Sequence, residues 1–463
     1  MYAFLYAAVS DMEVYFRYAL QGVDRDLMPY RDIQRLEYPP LAYWTVRIPR
    51  ALSSWRLPPP DELRIRLDPE FAAEWKAEVD RHFIHYDWGF RFQMLLADLA
   101  AFALFGLVVA RRRPTMLVRS LWLYNIVGVL LSFLLYDRLD IGLTFFLMAW
   151  AYCWVRAGDA DGGRGWAIAS YAALGLGISY KLVPVLMVPF VLLCEWRTWR
   201  RTPRQASMLL GPIALAITAL GPFVYYYIRA GKDLRNMFDY HSLRGVQVES
   251  TYSSLMMLLE PTRSLQAYHD FGSWNLGGRW ESFFVTASPW ITIGLLGLLG
   301  LRCLLYEWSG SVFDRSVAYR FACVVLPVAA ATSKVLSPQY FLWLLPLLIL
   351  AAVEYVDRRR FVWHAAAVLV ICAASTFLFP FHYVDTMPVW PYDYDHRPRW
   401  ALMRQIDEPP EGGHELVAKL SADACPIVIL VFRNLLFVGL TLGAVYDVLR
   451  RRPAAEATTP ARE

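Results

Sequence analysis

The chain has 463 residues, 57% of them apolar and only 19% charged, with a formal net charge of +5. The apolar share exceeds the roughly 45–50% of soluble domains, and the charges cluster between apolar runs about as long as a bilayer is thick. A soluble domain is therefore excluded, and an all-α integral membrane protein is indicated. The positive charge does not point to nucleic acid, because the arginines sit at the ends of apolar runs, where membrane orientation places them.

Taken in chain order, Met1 to Val9 form a first apolar run only about half as long as a span requires. No basic segment precedes them, which argues against a signal peptide, and the short run points to a start that has lost residues rather than to an unusually short first helix. Residues 10–90 follow as a long loop, too rich in aromatics and alternating charge for a plain connector. Within it, segments 12–21 (Tyr15, Tyr18, Ala19) and 40–55 (Leu41, Trp44, Ile48) have helical spacing and predict amphipathic helices along the membrane surface. Pro39-Pro40 starts the second of these and Pro58-Pro59-Pro60 ends it. Further apolar runs lie at 92–110, 116–136, 141–156, 166–180, 182–195, 207–228, 283–306, 316–333, 341–356, 361–379 and 426–449. With the first run they predict about twelve transmembrane helices in a single domain, residues 1–452, and 453–463 has the composition of a disordered tail.

The clusters Arg111-Arg112-Arg113, Arg197 to Arg204, Arg358-Arg359-Arg360 and Arg450-Arg451-Arg452 fall on one side of this alternating path, which is expected to be the cytoplasm. Both termini are then cytoplasmic in a cell (inner) membrane. Loops 10–90, 229–282 and 380–425 are extracytoplasmic, as are the short links at Asp137 to Asp140, at Lys181 and at Lys334 to Tyr340. Nearly every unusual polar motif lies on that outer face. No internal repeat is visible, and the six cysteines (Cys153, Cys194, Cys303, Cys323, Cys372, Cys425) have no spacing that suggests disulfides or a metal site.

Several of these polar residues have the chemistry of a site, each beside a plainer alternative. Asp11, where the first run meets water, is placed to take a proton from an attacking hydroxyl; it also suits the N-cap of segment 12–21. Lys181 and Lys334 at outer span ends, with Arg244 and His241 in an outer loop, are placed to neutralise charge growing on a leaving phosphate without a metal. For the two lysines the alternative is snorkelling to the interface, although isolated outer lysines run against the positive-inside tendency. Arg244 and Glu249, in "HSLRGVQVES", can pair across a turn, but an exposed pair contributes only about 0–1 kcal/mol, so donor contact or sugar recognition is preferred. Gln339-Tyr340 after Pro338 put an amide and a phenol at a helix entrance, able to bond sugar hydroxyls, while Tyr340 alone suits an interfacial anchor. Asp98, within a span, is read as structural, paired with Arg119 or Arg433, and His364 and Arg320 are read likewise. Asp140 opens a helix on the outer face and could cap it.

Five motifs recur in an order that resembles glycosyltransferase family 87, a group of GT-C fold membrane glycosyltransferases. Asp11, Tyr15, Gly22, Pro29-Tyr30, Asp32 and Glu37-Tyr38-Pro39-Pro40 resemble its opening pattern, and Arg138-Leu139-Asp140 resembles an element that opens a helix. "GLGISYKLVPVLMVPFVLL" around Lys181, Pro184 and Pro189, "FDYHSLRGVQVES" from Phe238, and "LSPQYFLWLLPLL" from Leu336 complete the series. The resemblance implies a GT-C fold, a polyprenyl-phosphate-linked sugar as donor, often mannose, and inverting transfer on the extracytoplasmic face. It also implies that Asp11 is the general base. Sugar or acceptor contact then falls to Tyr15, Glu37, Tyr38, Asp140, Gln247, Glu249, Gln339 and Tyr340.

The expected function is transfer of a hexose from a polyprenyl-phosphate donor to a hydroxyl of a lipid or glycan acceptor, with membrane lipids around it and no organic cofactor. A divalent ion stays open, since Asp11, Glu37, Glu249 and Asp140 could in principle hold one. A lipid or sugar transporter would more often show related halves and a charged midplane path, and a non-catalytic subunit of a glycan assembly system would leave Asp11, Lys181, Arg244 and Lys334 individually dispensable.

Overall fold

The computed structural model describes residues 11–33, 36–55, 57, 64, 67–159, 163–201, 209–261, 264–270, 273–306, 313–355, 358–381, 417–419 and 424–450. The first apolar run, the prolines at 58–60, most of loop 380–425 and the tail 453–463 lie outside them. The principal helices in chain order are α1 (Met12–Val23), α2 (Pro40–Ala51), α3 (Pro69–Arg112), α4 (Leu117–Leu130), α5 (Asp140–Gly158), α6 (Arg164–Tyr180), α7 (Val188–Arg201) and α8 (Leu210–Ala230). They continue as α9 (Asn236–Leu243), α10 (Thr251–Leu259), α11 (Glu281–Leu304), α12 (Arg315–Ala331), α13 (Phe341–Tyr355), α14 (Arg358–Thr376) and α15 (Ala424–Arg450).

From residue 92 onward the expected apolar runs are helical over most of their described residues, but six helices among those residues are long and apolar enough to cross a membrane, against about twelve expected. The first run lies outside the described residues, α6 and α12 are short at 17 residues each, and other runs are broken. The run 116–136 is interrupted after Leu130, where Leu131 leaves the helical region, and 182–195 opens with a 3₁₀ turn over Val183–Met187 before α7 begins. Helix α13 is short but buried nearly all round, from Phe341 to Val353, so it and the equally buried α12 form the centre of the bundle. Thr144 of α5 donates to the Leu342 carbonyl of α13 at 3.1 Å, tying two inner helices together.

The loop expected over 10–90 ends at residue 68. From Pro69 the chain is one helix of 44 residues, about 66 Å long at 1.5 Å per residue. Asp68 caps it, accepting from the amides of Glu70 and Phe71, with Pro69 in the first turn. Since the apolar half of α3 is already long enough to span a bilayer, the charged half projects beyond it. The two amphipathic helices are present, but α1 buries Tyr15, Tyr18 and Ala19 in protein, because α3 and α2 cover that face. In α2 the side carrying Ile48 is the open one, with Ile48 43% exposed. This helix ends at Ala51, short of the expected proline stop. Gly22 allows α1 and α2 to meet, since a Cβ there would lie 1.8 Å from the Tyr43 hydroxyl, and a buried ion pair between Arg50 and Asp24 closes the hairpin.

A small sheet was not expected. Strand β1 (Gln266–Asp270) pairs antiparallel with β2 (Ser273–Gly277) and with β3 (Val417–Lys419), in the order β2-β1-β3. Alternate residues Leu265, Ala267, Trp274 and Leu276 join Val246, Val248 and Met256 in a second apolar cluster. The segment 246–248 adds to the edge of β2, with Val248 N–H donating to Trp274 at 3.0 Å and Leu276 N–H to Val246 at 2.8 Å.

Candidate functional site

The two ends of the bundle differ in chemistry. At one end arginines bind the inner helices: Arg112 pairs with Glu354, Arg113 donates to the Val353 carbonyl at 3.0 Å, and Arg315 pairs with Glu195 at 3.0 Å. At the other end lie Asp11, the Asp137 to Asp140 link, Lys181, and the loops around Arg244 and Lys334. The link is anchored by Arg91 of α3, which reaches Asp137 at 3.0 Å and Asp87 at 2.9 Å.

Asp11 precedes α1 without capping it through its side chain. Its carboxylate pairs with Arg138 and receives a long hydrogen bond, 3.4 Å, from the Tyr15 hydroxyl one turn on. Its side chain is 32% exposed while that of Arg138 is 10% exposed, so the acid stays accessible above a sheltered cation. Two residues after Arg138, Asp140 begins α5 and is buried. Its Oδ1 accepts from Lys181 Nζ at 2.6 Å and from Trp343 Nε1 at 2.8 Å. Lys181, just past α6, sits 4.6 Å from the ring centroid of Tyr340 and 5.8 Å from that of Trp343, which favours a cation there.

A second group adjoins the first through the edge contact of Tyr15 with Tyr38, ring centroids 5.5 Å apart. Glu37, beside Tyr38, pairs with Arg244 at 3.2 Å. Lys334 Nζ donates to the Arg244 carbonyl at 2.5 Å, and the Gln247 amide to the Lys334 carbonyl at 2.9 Å, so the loop around Arg244 and the α12–α13 link are stitched together. Burial, and then the charge of Arg244, push the Lys334 ammonium below the usual lysine range. Gln247 is buried and its Oε1 has no hydrogen-bond partner among the described residues. Tyr30 holds the approach: with φ of 69° it is left-handed, an uncommon state for a bulky residue, and its hydroxyl donates to the Tyr38 carbonyl at 2.8 Å.

The structure therefore brings Asp11, Tyr15, Glu37, Tyr38, Asp140, Lys181, Arg244, Gln247, Lys334 and Tyr340 to one end. Gln339 lies beside them in the turn that starts α13. The side chain of His241 falls outside the described residues. Glu249 does not pair with Arg244 across the turn. It is buried and meets Arg433 of α15 at 3.3 Å, and burial pushes its carboxyl up to about 7 against the pull of Arg433's charge and hydrogen bond. Asp98 pairs with neither Arg119 nor Arg433, since Arg433 is committed to Glu249. It accepts from the hydroxyls of Tyr124 and Tyr136, both at 3.1 Å. Arg138 and Trp343 are the residues that reading the sequence left out of the site; the Arg-Leu-Asp spacing at 138–140 was the available signal for the first, and the tryptophan three residues after Tyr340 in the motif at 336–348 was the signal for the second.

The four carboxylates that might have shared a divalent ion each face a different cation: Asp11 with Arg138, Glu37 with Arg244, Asp140 with Lys181 and Glu249 with Arg433. Among the described residues no three His, Cys, Asp or Glu side chains form a metal-holding group. Chemically the end of the bundle offers an accessible carboxylate, Asp11, beside several cations, which suits proton removal next to a developing phosphate charge.

Composition and fold define an α-helical integral membrane protein. Residues 83–230, about a third of the chain, match the family model for dolichyl-phosphate-mannose-protein mannosyltransferases. The matched segment contains Arg138, Asp140 and Lys181 but not Asp11, Arg244 or Lys334. The likeness to glycosyltransferase family 87 rests on the motifs alone. No curated protein matches the chain. A solved structure with some likeness is the crystal structure of ArnT from Cupriavidus metallidurans bound to undecaprenyl phosphate, with 14% identity, a TM-score of 0.46, and coverage of 95% of this chain and 72% of that one.

Proposed function

We propose that the protein is a GT-C type membrane glycosyltransferase that moves a hexose, by the family motifs a mannose, from a polyprenyl-phosphate donor to a hydroxyl of a lipid or glycan acceptor. The observation that carries this reading is the accessible carboxylate of Asp11, paired with Arg138, at the end of the bundle that also carries Lys181, Arg244 and Lys334. Support also comes from the family-model match, whose named donor is a sugar on a polyprenyl-type phosphate.

In the reaction, the acceptor oxygen loses its proton to Asp11 and forms a bond to the anomeric carbon as the bond from that carbon to the phosphate oxygen breaks. Configuration inverts because attack and departure are on opposite faces. The electron pair leaves with the phosphate, whose growing charge is met by Lys181, Lys334 and Arg244, with His241 in the same loop. An arriving phosphate also offsets the like charges of Arg244 and Lys334. Tyr15, Tyr38, Gln247, Gln339 and Tyr340 supply hydroxyl and amide groups for sugar and acceptor, and Glu37 and Asp140 hold Arg244 and Lys181 in place. The site faces the extracytoplasmic side, with the arginine-rich end in the cytoplasm.

The test is Asp11→Asn, assayed with membranes and labelled polyprenyl-phosphate sugars. Asn keeps an oxygen for Arg138 but is no base, so transfer falls by about 10²–10⁴-fold with expression and insertion unchanged. Transfer above roughly a tenth of wild type, against that expected loss, removes Asp11 from the role of base.

A further inference from the structure

The arginine-rich end of the bundle, far from Asp11, holds a cavity of about 240 Å³ between α13, α14 and α15. Its deep end is lined by small residues, among them Ala351, Ala367 and Gly439; its other end carries Arg360, His364 and Asp447. Along α14, Ala367 is seven residues from Arg360, and along α15, Gly439 is eight from Asp447, roughly 10–12 Å at 1.5 Å per residue. The cavity thus has a polar end at the helix termini and an apolar end toward the bilayer centre. Arg360, Trp363, Gly439 and Gly443 are all exposed, so it opens on the outer surface of the bundle, toward lipid.

Two features separate this cavity from ordinary helix packing. The Gly439 and Gly443 pair has the spacing used for close helix contact in membranes, yet a Cβ on either would meet nothing within 4 Å. The space beside them, about 240 Å³ in all, takes an acyl chain. At the polar end, the Asp447 carboxylate has no hydrogen bond or ion pair among the described residues. A guanidinium on α14 and a carboxylate on α15 match a head group that carries a phosphate and an ammonium together. A choline has no N–H to give that carboxylate.

We propose that this cavity binds one ethanolamine phospholipid, its phosphate on Arg360, its ammonium on Asp447 and an acyl chain along Gly439 and Gly443. The experiment is native mass spectrometry of the full chain released from micelles containing equal amounts of ethanolamine, choline and glycerol phospholipids. One ethanolamine lipid is retained about tenfold over the other two, the scale of one lost charged hydrogen bond. Asp447→Asn reduces it to the level of the choline lipid, Arg360→Gln lowers retention of all three, and Gly443→Leu fills the cavity and abolishes retention. Equal retention of ethanolamine and glycerol lipids, or retention unchanged in Gly443→Leu, overturns the proposal. So does a wild-type dimer that Gly443→Leu separates, which would make this face the seat of a second copy. Should Gly443→Leu fail to insert, the isosteric Asp447→Asn still decides between the outcomes.

Discussion

Replacing Lys181 by methionine asks whether this lysine serves the Asp140 carboxylate, the donor phosphate or both. The carboxylate of Asp140 is 4% exposed, and its Oδ1 has two donors, Lys181 Nζ at 2.6 Å and Trp343 Nε1 at 2.8 Å. Methionine keeps the length of the side chain and its packing on Tyr340, and removes the ammonium. Breaking a buried pair from one side typically costs about 3–5 kcal/mol. Here the Trp343 donor remains and the Lys181 side chain is 29% exposed, so screening lowers the expected loss to about 2–3 kcal/mol. Asp140→Asn in the same background removes the stranded charge while keeping an acceptor for Trp343, so most of that loss returns, with a coupling of about 1–3 kcal/mol in the double-mutant cycle. Unfolding in mixed micelles measures the cycle, and labelled-donor binding is followed on the same four proteins. The double variant regains stability yet still binds the donor weakly, because no cation has been restored for the phosphate. Additive effects refute the pairing as the main source of the Lys181 effect on stability, and full recovery of donor binding in the double variant refutes its phosphate role.

The remaining predictions concern the outer loop. Since the Glu249 carboxyl is raised in the folded protein from an ordinary value of 4.5 to about 7, the folded state holds more protons than the unfolded chain between those values. Stability therefore falls as pH rises from about 4.5 to about 7, by at most about 1.4 kcal/mol per pH unit, and levels off above. Glu249→Gln flattens this slope in unfolding measured across that range; an unchanged slope refutes the assignment. Asn434→Leu removes the Nδ2 donor that meets the carbonyls of Glu249 and Ser250 and the Ser254 hydroxyl at 3.0, 2.9 and 2.8 Å, leaving the Glu249 carbonyl only its bond from Arg433. The expected loss is about 1–3 kcal/mol, with faster amide exchange confined to 246–254; exchange unchanged there would show that the loop does not depend on α15.

What could be read from the sequence was what local pattern encodes. Apolar runs, arginine clusters and the proline before α2 depend on nearest neighbours and on the solvent, so helical character and the crowding of polar motifs at one end were legible without coordinates. Lengths were less so. The charged residues 69–90 read as loop because a helix projecting past the bilayer carries no apolar signal, although Asp68-Pro69 is a helix start in plain form. The hairpin of β1 and β2 was missed for a related reason, as five-residue strands in a long polar loop are weak in alternation.

Partners could only come from tertiary structure. Arg138 and Asp11 are separated by 127 positions, Glu37 and Arg244 by 207, and Glu249 and Arg433 by 184, and which cation faces which acid depends on how helices far apart in sequence cross. The sequence by itself determined that this protein lives in a membrane and that its unusual polar motifs gather at one end, because burial in lipid constrains every residue of a span. The folded chain decided which cation faces each of Asp11, Glu37, Asp140 and Glu249 and that Asp11 is the most exposed of these four, because an ion pair is set by distances of a few ångströms between elements that share no local code.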